Sequence, residues 1–86
     1  MTRLRLRRDL VWREAGEEIV ALDGGPGRYV STNAAGGVLW RALADGASRE
    51  ELVRELVTEF AIDPGRAARD VDAYLAELEE SGLLEA

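Results

Sequence analysis

The stretch Gly27-Arg28-Tyr29-Val30-Ser31-Thr32-Asn33 reads as a short strand that runs directly into a helix. Tyr29, Val30 and Thr32 are strand-forming types, and Asn33 is a favoured helix N-cap. Two strand-like runs precede it, over residues 10–14 and 18–23. From residue 34 almost to the end, the chain has helical periodicity. Three short strands therefore come first and three helices second, an α+β arrangement in which an antiparallel meander is the economical sheet. The third strand has no later strand to pair with. Such an edge is either a liability to be covered or a rail on which another chain can dock.

Upstream of this stretch, Glu18-Ile19-Val20-Ala21-Leu22-Asp23 is apolar on both faces and is expected to be the central strand. Gly24-Gly25-Pro26-Gly27 is expected to be the hairpin loop after it, with no Lys or helix start at the spacing of a phosphate cradle. Leu10-Val11-Trp12-Arg13-Glu14 is the first strand, and Ala15-Gly16-Glu17 the turn after it. Leu4-Arg5-Leu6-Arg7 alternates strictly, as a strand or a frayed extended arm would; residues 1–8 are expected to form that arm on a single domain spanning 1–86.

Downstream, Asn33 caps a helix predicted over residues 34–44, with Val38, Leu39, Ala42 and Leu43 as its inward face. Asp45-Gly46-Ala47 stops it. Ser48-Arg49-Glu50-Glu51 is a capping box, and Leu52, Val53, Leu56, Val57 and Phe60 form the stripe of the second helix. Asp63-Pro64 opens the third helix, with Asp as N-cap and Pro in the first turn. Its stripe is Ala67, Val71, Tyr74, Leu75 and Leu78. Ser81-Gly82 ends it, so that Leu83-Leu84 can return to the core. Trp12 and Trp40 are expected core aromatics. The second and third helices have the outline of a winged helix-turn-helix.

Composition excludes several functions. The 86 residues contain no Cys, hence no disulfide framework or thiolate chemistry, and no His, the usual general base near neutral pH. No Ser, Thr, Tyr or carboxylate stands in a catalytic pattern, so neither an enzyme nor a metal or cofactor site is expected. No segment has the length or apolarity to span a membrane, and the basic start lacks the apolar run of a signal peptide; a cytoplasmic protein is expected. Residues 1–14 carry a net charge of +3 and the remainder −9. The third helix, read as a DNA-recognition helix, would offer Asp70, Asp72, Glu77, Glu79 and Glu80 against Arg66 and Arg69, a face that repels phosphate. No nucleic acid is expected as partner, although the basic arm leaves a helix-turn-helix regulator as the competing class.

Two features are candidates for a site. The edge residues Arg28, Tyr29, Val30, Ser31 and Thr32 carry a single charge, little protection for a free strand. They read either as a docking rail or as the plain last strand of a small sheet. Beside them, Ala67, Asp70, Val71, Tyr74, Leu75 and Leu78 on the third helix read either as core with a solvated rim or as the wall of a groove, with Tyr74 offering its ring to a guest and its hydroxyl to solvent. Periodicity does not decide between them.

Taken in order, Val20-Ala21-Leu22-Asp23, Gly27-Arg28-Tyr29-Val30-Ser31-Thr32-Asn33-Ala34-Ala35-Gly36, Leu39-Trp40-Arg41-Ala42-Leu43-Ala44-Asp45-Gly46, Asp70-Val71, Leu75 to Leu78 and Ser81-Gly82-Leu83-Leu84 resemble the PqqD-like domains, the recognition elements of ribosomally synthesised precursor peptides. Thr32 departs from the family's common Leu at that place. The resemblance implies a three-stranded sheet on a three-helix winged bundle, and a leader peptide added as a further strand beside the third strand and the third helix. The Arg-rich start and the Asn-Ala-Ala-Gly turn look most like the stand-alone B1-type proteins of lasso-peptide systems. Those would present the leader to a leader peptidase (a transglutaminase-like cysteine protease) and a macrolactam-forming cyclase. A peptide chaperone of pyrroloquinoline quinone biosynthesis is the alternative within the family, disfavoured by the lack of a Leu-Leu-x-Pro-Glu-Arg segment.

Overall fold

The computed structural model describes residues 3–23 and 27–85. Three strands, β1 (Val11–Ala15), β2 (Glu18–Asp23) and β3 (Arg28–Thr32), precede three helices, α1 (Ala34–Asp45), α2 (Arg49–Phe60) and α3 (Pro64–Glu80). The strands form an antiparallel meander in the order β1-β2-β3, which leaves β3 on an edge. The expected fold class is the observed one. The loop expected over Gly24-Gly25-Pro26 lies outside the described residues.

Register assigns every strand residue to a face, because successive side chains alternate. Trp12, Ala21 and Val30 form one cross-strand row, and Glu14, Ile19 and Thr32 another. These rows face the helices, where Ile19 and Ala21 are buried. Val11, Leu22 and Tyr29 make a row on the opposite, solvent-facing side.

Helix starts are set by local chemistry. The Asn33 side chain accepts a hydrogen bond from the Gly36 N–H at 2.8 Å. Ser48 and Glu51 close a reciprocal capping box. Asp63 accepts from the N–H groups of Gly65 and Arg66. The end of α3 is a Schellman turn: Gly82 adopts φ of +70°, its N–H reaches the Glu79 carbonyl at 3.0 Å, and the Leu83 N–H reaches the Leu78 carbonyl at 2.9 Å. Leu83 is thereby turned into the core.

Two expectations about packing change. The buried face of α1 is Gly36, Gly37, Leu39, Trp40 and Leu43, with Val38 left at the surface. The helix is rotated so that its two glycines meet other parts of the chain closely: a Cβ at Gly37 would lie 2.6 Å from the Glu17 carbonyl oxygen. Trp40 is fully buried and Trp12 packs edge-on against it at 6.3 Å. Phe60, placed in the stripe of α2 by spacing, sits in its last turn and is exposed.

The N-terminal arm is not frayed over its described residues. Leu4 and Ala47 exchange backbone hydrogen bonds of 2.8 and 3.0 Å, the Arg7 N–H reaches the Leu83 carbonyl at 2.9 Å, and the Glu85 N–H reaches the Arg5 carbonyl at 2.8 Å. Leu6 is buried between these bonds. The alternation of Leu and Arg thus serves an arm stitched between the α1–α2 junction and the end of the chain.

One buried carboxylate joins arm, sheet and α3. Asp23 is 1% exposed and lies 3.3 Å from both the Arg7 and the Arg28 guanidinium. Arg28 also donates to the Ser81 carbonyl at 2.6 Å, and Arg7 to the Gly82 carbonyl at 3.0 Å. Both carbonyls lie at the C-terminal end of α3, where cations are favourable. Asp23→Ala is expected to lower unfolding free energy by about 2–4 kcal/mol, somewhat below a fully buried pair because both arginines can rehydrate. Urea titration monitored by circular dichroism checks this, and a loss below about 0.5 kcal/mol, the range of ordinary surface changes, would contradict it.

Candidate functional site

Between β3 and α3 lies an open cleft of about 230 Å³, lined by Val30, Ser31, Thr32, Asn33, Gly36, Tyr74, Glu77, Leu78, Ser81 and Leu83. The bare edge of β3 forms one wall, α3 the other, and the first turn of α1 the floor at one end. Gly36 sets how closely that turn approaches. A Cβ there would come within 2.9 Å of the Thr32 Cβ and 3.3 Å of the Tyr74 ring. A side chain at position 36 would therefore push into the cleft or force α1 away. Thr32 accepts the Ile19 N–H at 3.3 Å through its hydroxyl, so the residue that departs from the common Leu ties β3 back to β2.

Of the residues expected at the site, Val30, Ser31, Thr32, Tyr74 and Leu78 line this cleft together. Arg28 faces inward but its guanidinium is engaged by Asp23 and the Ser81 carbonyl, so it braces the cleft's end. Tyr29 alternates to the other face of the sheet, where it is 75% exposed beside Val11 and Leu22. Its backbone lies on the edge, but its side chain does not enter the cleft. Ala67 and Val71 are completely buried, core residues beneath α3 and not a groove wall. Leu75 is half-buried against the core. Asp70 lies at the rim of a second hollow of about 390 Å³ between α1 and α3, 3.7 Å from Arg66 one turn earlier.

Spacing missed Asn33, Gly36, Ser81 and Leu83 as lining residues, while Glu77, which flanks the α3 stripe beside Tyr74, does line the cleft. The signal available was Gly36-Gly37 inside a helix, a costly choice unless backbone must approach something closely. The Tyr74 hydroxyl also differs from expectation. It is shielded from solvent and has no hydrogen-bond partner among the described residues. Burial, with the Glu77 charge second, holds its pKa well above the usual phenol value.

Charges outside the cleft hold the frame. Arg49 grips Asp72 through two hydrogen bonds of 2.6 and 2.9 Å, tying the start of α2 to α3 and holding the Asp72 carboxyl below its usual range. Asp9 is lowered by its hydrogen bond from Arg7. Glu51 is lowered chiefly by the Ser48 backbone N–H of the capping box. Arg41 pairs with Glu14 across α1 and β1. Among the described residues, no cluster of three or more His, Cys, Asp or Glu could hold a metal ion, and no helix is long and apolar enough to cross a membrane.

The family described as "Coenzyme PQQ synthesis protein D (PqqD)" matches residues 18–84. The chain belongs to the PqqD family. Among solved structures, "TbiB1 in Complex with the TbiA(beta) Leader Peptide" is similar at 28% identity and a TM-score of 0.88, with 95% of each chain covered. "Lasso peptide synthetase B1 complexed with the leader peptide" is similar at 28% identity and a TM-score of 0.83, covering 96% of this chain and 98% of that one. No curated protein matches the chain. The resemblance to PqqD-like recognition elements of B1 type thus holds in both sequence family and structure.

Burial and charge set two outcomes. Val71→Asp is expected to cost roughly 3–5 kcal/mol, because it puts a carboxylate into the core; thermal melts that show a stable, folded variant would return Val71 to the groove wall. With no His in the chain, stability is expected to be flat between about pH 6 and 9. The lowered carboxyls of Asp9, Glu51 and Asp72 stabilise above their unfolded pKa, and that contribution is lost on acidification below about pH 4. Above about pH 10 stability declines again, because Tyr74 then ionises in the unfolded chain but not in the folded one. Melting temperatures across this range check both limbs, and a steep slope near neutrality would contradict the assignment.

Proposed function

We propose that this protein is a non-catalytic adaptor that binds the leader of a ribosomally synthesised precursor peptide. The leader adds as a strand to the edge of β3, beside α3, and is presented to a leader peptidase and a macrolactam-forming cyclase in lasso-peptide biosynthesis. The observation that carries this reading is the juxtaposition of the unpaired β3 edge with the cleft against α3. Two structures of similar fold, each a B1-type protein with its leader peptide, support it.

The physical division of labour is simple. Backbone pairing to β3 contributes about 0.5–1.5 kcal/mol net per hydrogen bond and reads no side chains. Specificity must come first from what the cleft accepts, and its accessible apolar lining is Val30 and the flank of Tyr74, with Leu78 and Leu83 buried behind them. Two anchors buried there would contribute about 1.5–3 kcal/mol each. Glu77 lines the groove and Asp70 stands on the hollow beside it, so an anionic guest would be repelled. That suits a peptide with neutral or basic flanks and disfavours a phosphate backbone. Candidate contacts, by this reading, are the backbone of residues 28–32 and the side chains of Val30 and Tyr74, with Leu78 buried beneath them. Ala67, Val71 and Leu75 support α3 from behind, and Asp70 stands at the rim.

The test is amide hydrogen exchange with the synthetic leader of a cognate lasso-peptide precursor. Edge amides within residues 29–31 are expected to slow markedly on saturation, with affinity falling only mildly between low and moderate salt. Protection confined to β1 would move the docking edge to the other side of the sheet. A steep logarithmic loss with salt, or a gel-shifted complex with random duplex DNA at micromolar protein, would favour the nucleic-acid class instead.

A further inference from the structure

Tyr29 is an aromatic residue that the free protein leaves uncovered. Its side chain is 75% exposed, on the face of the sheet turned away from the helices, and β3 is an edge of that sheet. Tyr29 is in register with Leu22, and Leu22 with Val11, which is 70% exposed. The three form an apolar row beside a shallow hollow of about 280 Å³ that Val20 and Arg13 also line. On the β3 side the row ends at Tyr29, because no further strand follows. Edge strands are usually blunted by charge, proline or a bulge. Here the outward residues of the edge are Tyr29 and Ser31, and the one charge in the strand, Arg28, is turned inward to Asp23. Alternation then constrains any guest. A strand laid on β3, in either direction, sends alternate side chains to the two faces of the sheet. One set turns toward the cleft and the other lies on the outer face, where one member stands beside Tyr29. Directly opposed residues on adjacent antiparallel strands have Cβ atoms about 4.5–5.5 Å apart, within reach of an aromatic ring.

We infer that Tyr29 is a specificity-determining residue that reads the outward side of the guest, pairing with an apolar or aromatic side chain of the same peptide whose inward side chains occupy the β3–α3 cleft. This rests on the peptide-binding reading above and deepens it. The chemistry of the paired side chain follows from the row it joins. Val11, Leu22 and Tyr29 carry no charge, and Arg13, the charged residue lining the hollow, belongs to β1 at the far edge. A charged guest residue beside Tyr29 gains no counter-ion from this row. An apolar one extends the row and takes the uncovered flank of the ring out of water. The outer contact and the cleft also impose a register together. A slip of one residue would send outward side chains into the cleft and inward ones out.

The experiment titrates the labelled synthetic leader of a cognate lasso-peptide precursor by fluorescence polarisation against wild type, Tyr29→Phe and Tyr29→Thr, with thermal melts of the free proteins. Threonine keeps a strand-forming residue at the edge and removes the ring. Because Tyr29 is exposed, both variants are expected to melt within about 4 °C of wild type. A larger fall would make the ring part of the free protein's own packing and overturn the inference. Tyr29→Phe is expected to bind as wild type does, and Tyr29→Thr about three- to fivefold more weakly, the upper part of the range for one cross-strand aromatic pair. Serine substitutions along the leader then identify the paired residue: at one apolar position, the loss seen with wild type is expected to vanish with Tyr29→Thr. A Tyr29→Thr affinity within twofold of wild type would overturn the inference while leaving peptide binding intact. So would an equal loss for Tyr29→Phe, which would assign the contact to the hydroxyl, or the absence of any coupled leader position, which would assign it to the strand itself. Failure of wild type to bind would remove the peptide-binding reading and this inference with it.

Discussion

Everything in this fold that faces the cleft is held in place from one end by a single buried carboxylate. Asp23 ends β2, is almost completely inaccessible, and gathers Arg7 and Arg28. Each arginine then reaches a backbone carbonyl at the end of α3. The consequence is geometric. β3 begins at Arg28, so the strand that offers its edge is fastened to the helix opposite at the point where the two come together. The cleft runs between them from Ser81 to Asn33 and Tyr74. A small domain has little stability to spare on an open groove.

The cost of that arrangement explains the rest of the electrostatics. A buried carboxylate needs strong partners, and guanidinium groups supply several donors in a fixed plane. Arg7 comes from the N-terminal arm, which must therefore be anchored. The backbone bonds from Leu4 to Ala47 and from Arg7 to Leu83 do this. The arm in turn covers the junction between α1 and α2, where Arg3 bonds Glu51 of the capping box at 2.9 Å. Three of the arm's arginines are thus engaged within the protein, Arg3 with Glu51, Arg7 with Asp9 and Asp23, and Arg8 with Glu85.

Much of the scaffold was legible in the sequence because its signals are local. Asn33, the Ser48–Glu51 box, Asp63-Pro64 and Ser81-Gly82 each fix an element end through neighbours at most a few residues away. The central strand was legible from Ile19, Val20, Ala21 and Leu22. Less legible was whatever depends on distant partners. Asp23 meets Arg7 sixteen positions earlier, and nothing in its own neighbourhood marks it as buried. The face of α1 was misread because Val38 and Ala42 carry more apolar surface than Gly36 and Gly37. The helix buries its glycines for another reason, since only a missing side chain lets its backbone approach the β1–β2 turn and Tyr74. On α3 the stripe was right in position, but a stripe cannot say which members are covered. Ala67 and Val71 lie beneath the helix, and Tyr74 stands at its flank.

The same contrast separates the two kinds of recognition available to this surface. An unpaired strand edge accepts any extended chain, since main-chain donors and acceptors are common to all sequences. Selectivity requires groups that are satisfied by the right guest and left unsatisfied by the wrong one. On the β3 side such groups are scarce: Arg28 is spent on Asp23, Thr32 on Ile19, and Tyr29 faces away. For a guest held as proposed, discrimination inside the cleft would fall to α3 and the first turn of α1, which line the cleft with Tyr74, Glu77 and Leu78 and with Asn33 and Gly36. Under the proposed reading, the strand edge would supply a general grip and the helix the choice inside the cleft, with Arg28 and the Ser81 carbonyl joining the two at one end. If the cleft holds a peptide as proposed, preference could shift through substitutions on one flank of α3, leaving the sheet, the buried carboxylate and the core beneath the helix unchanged.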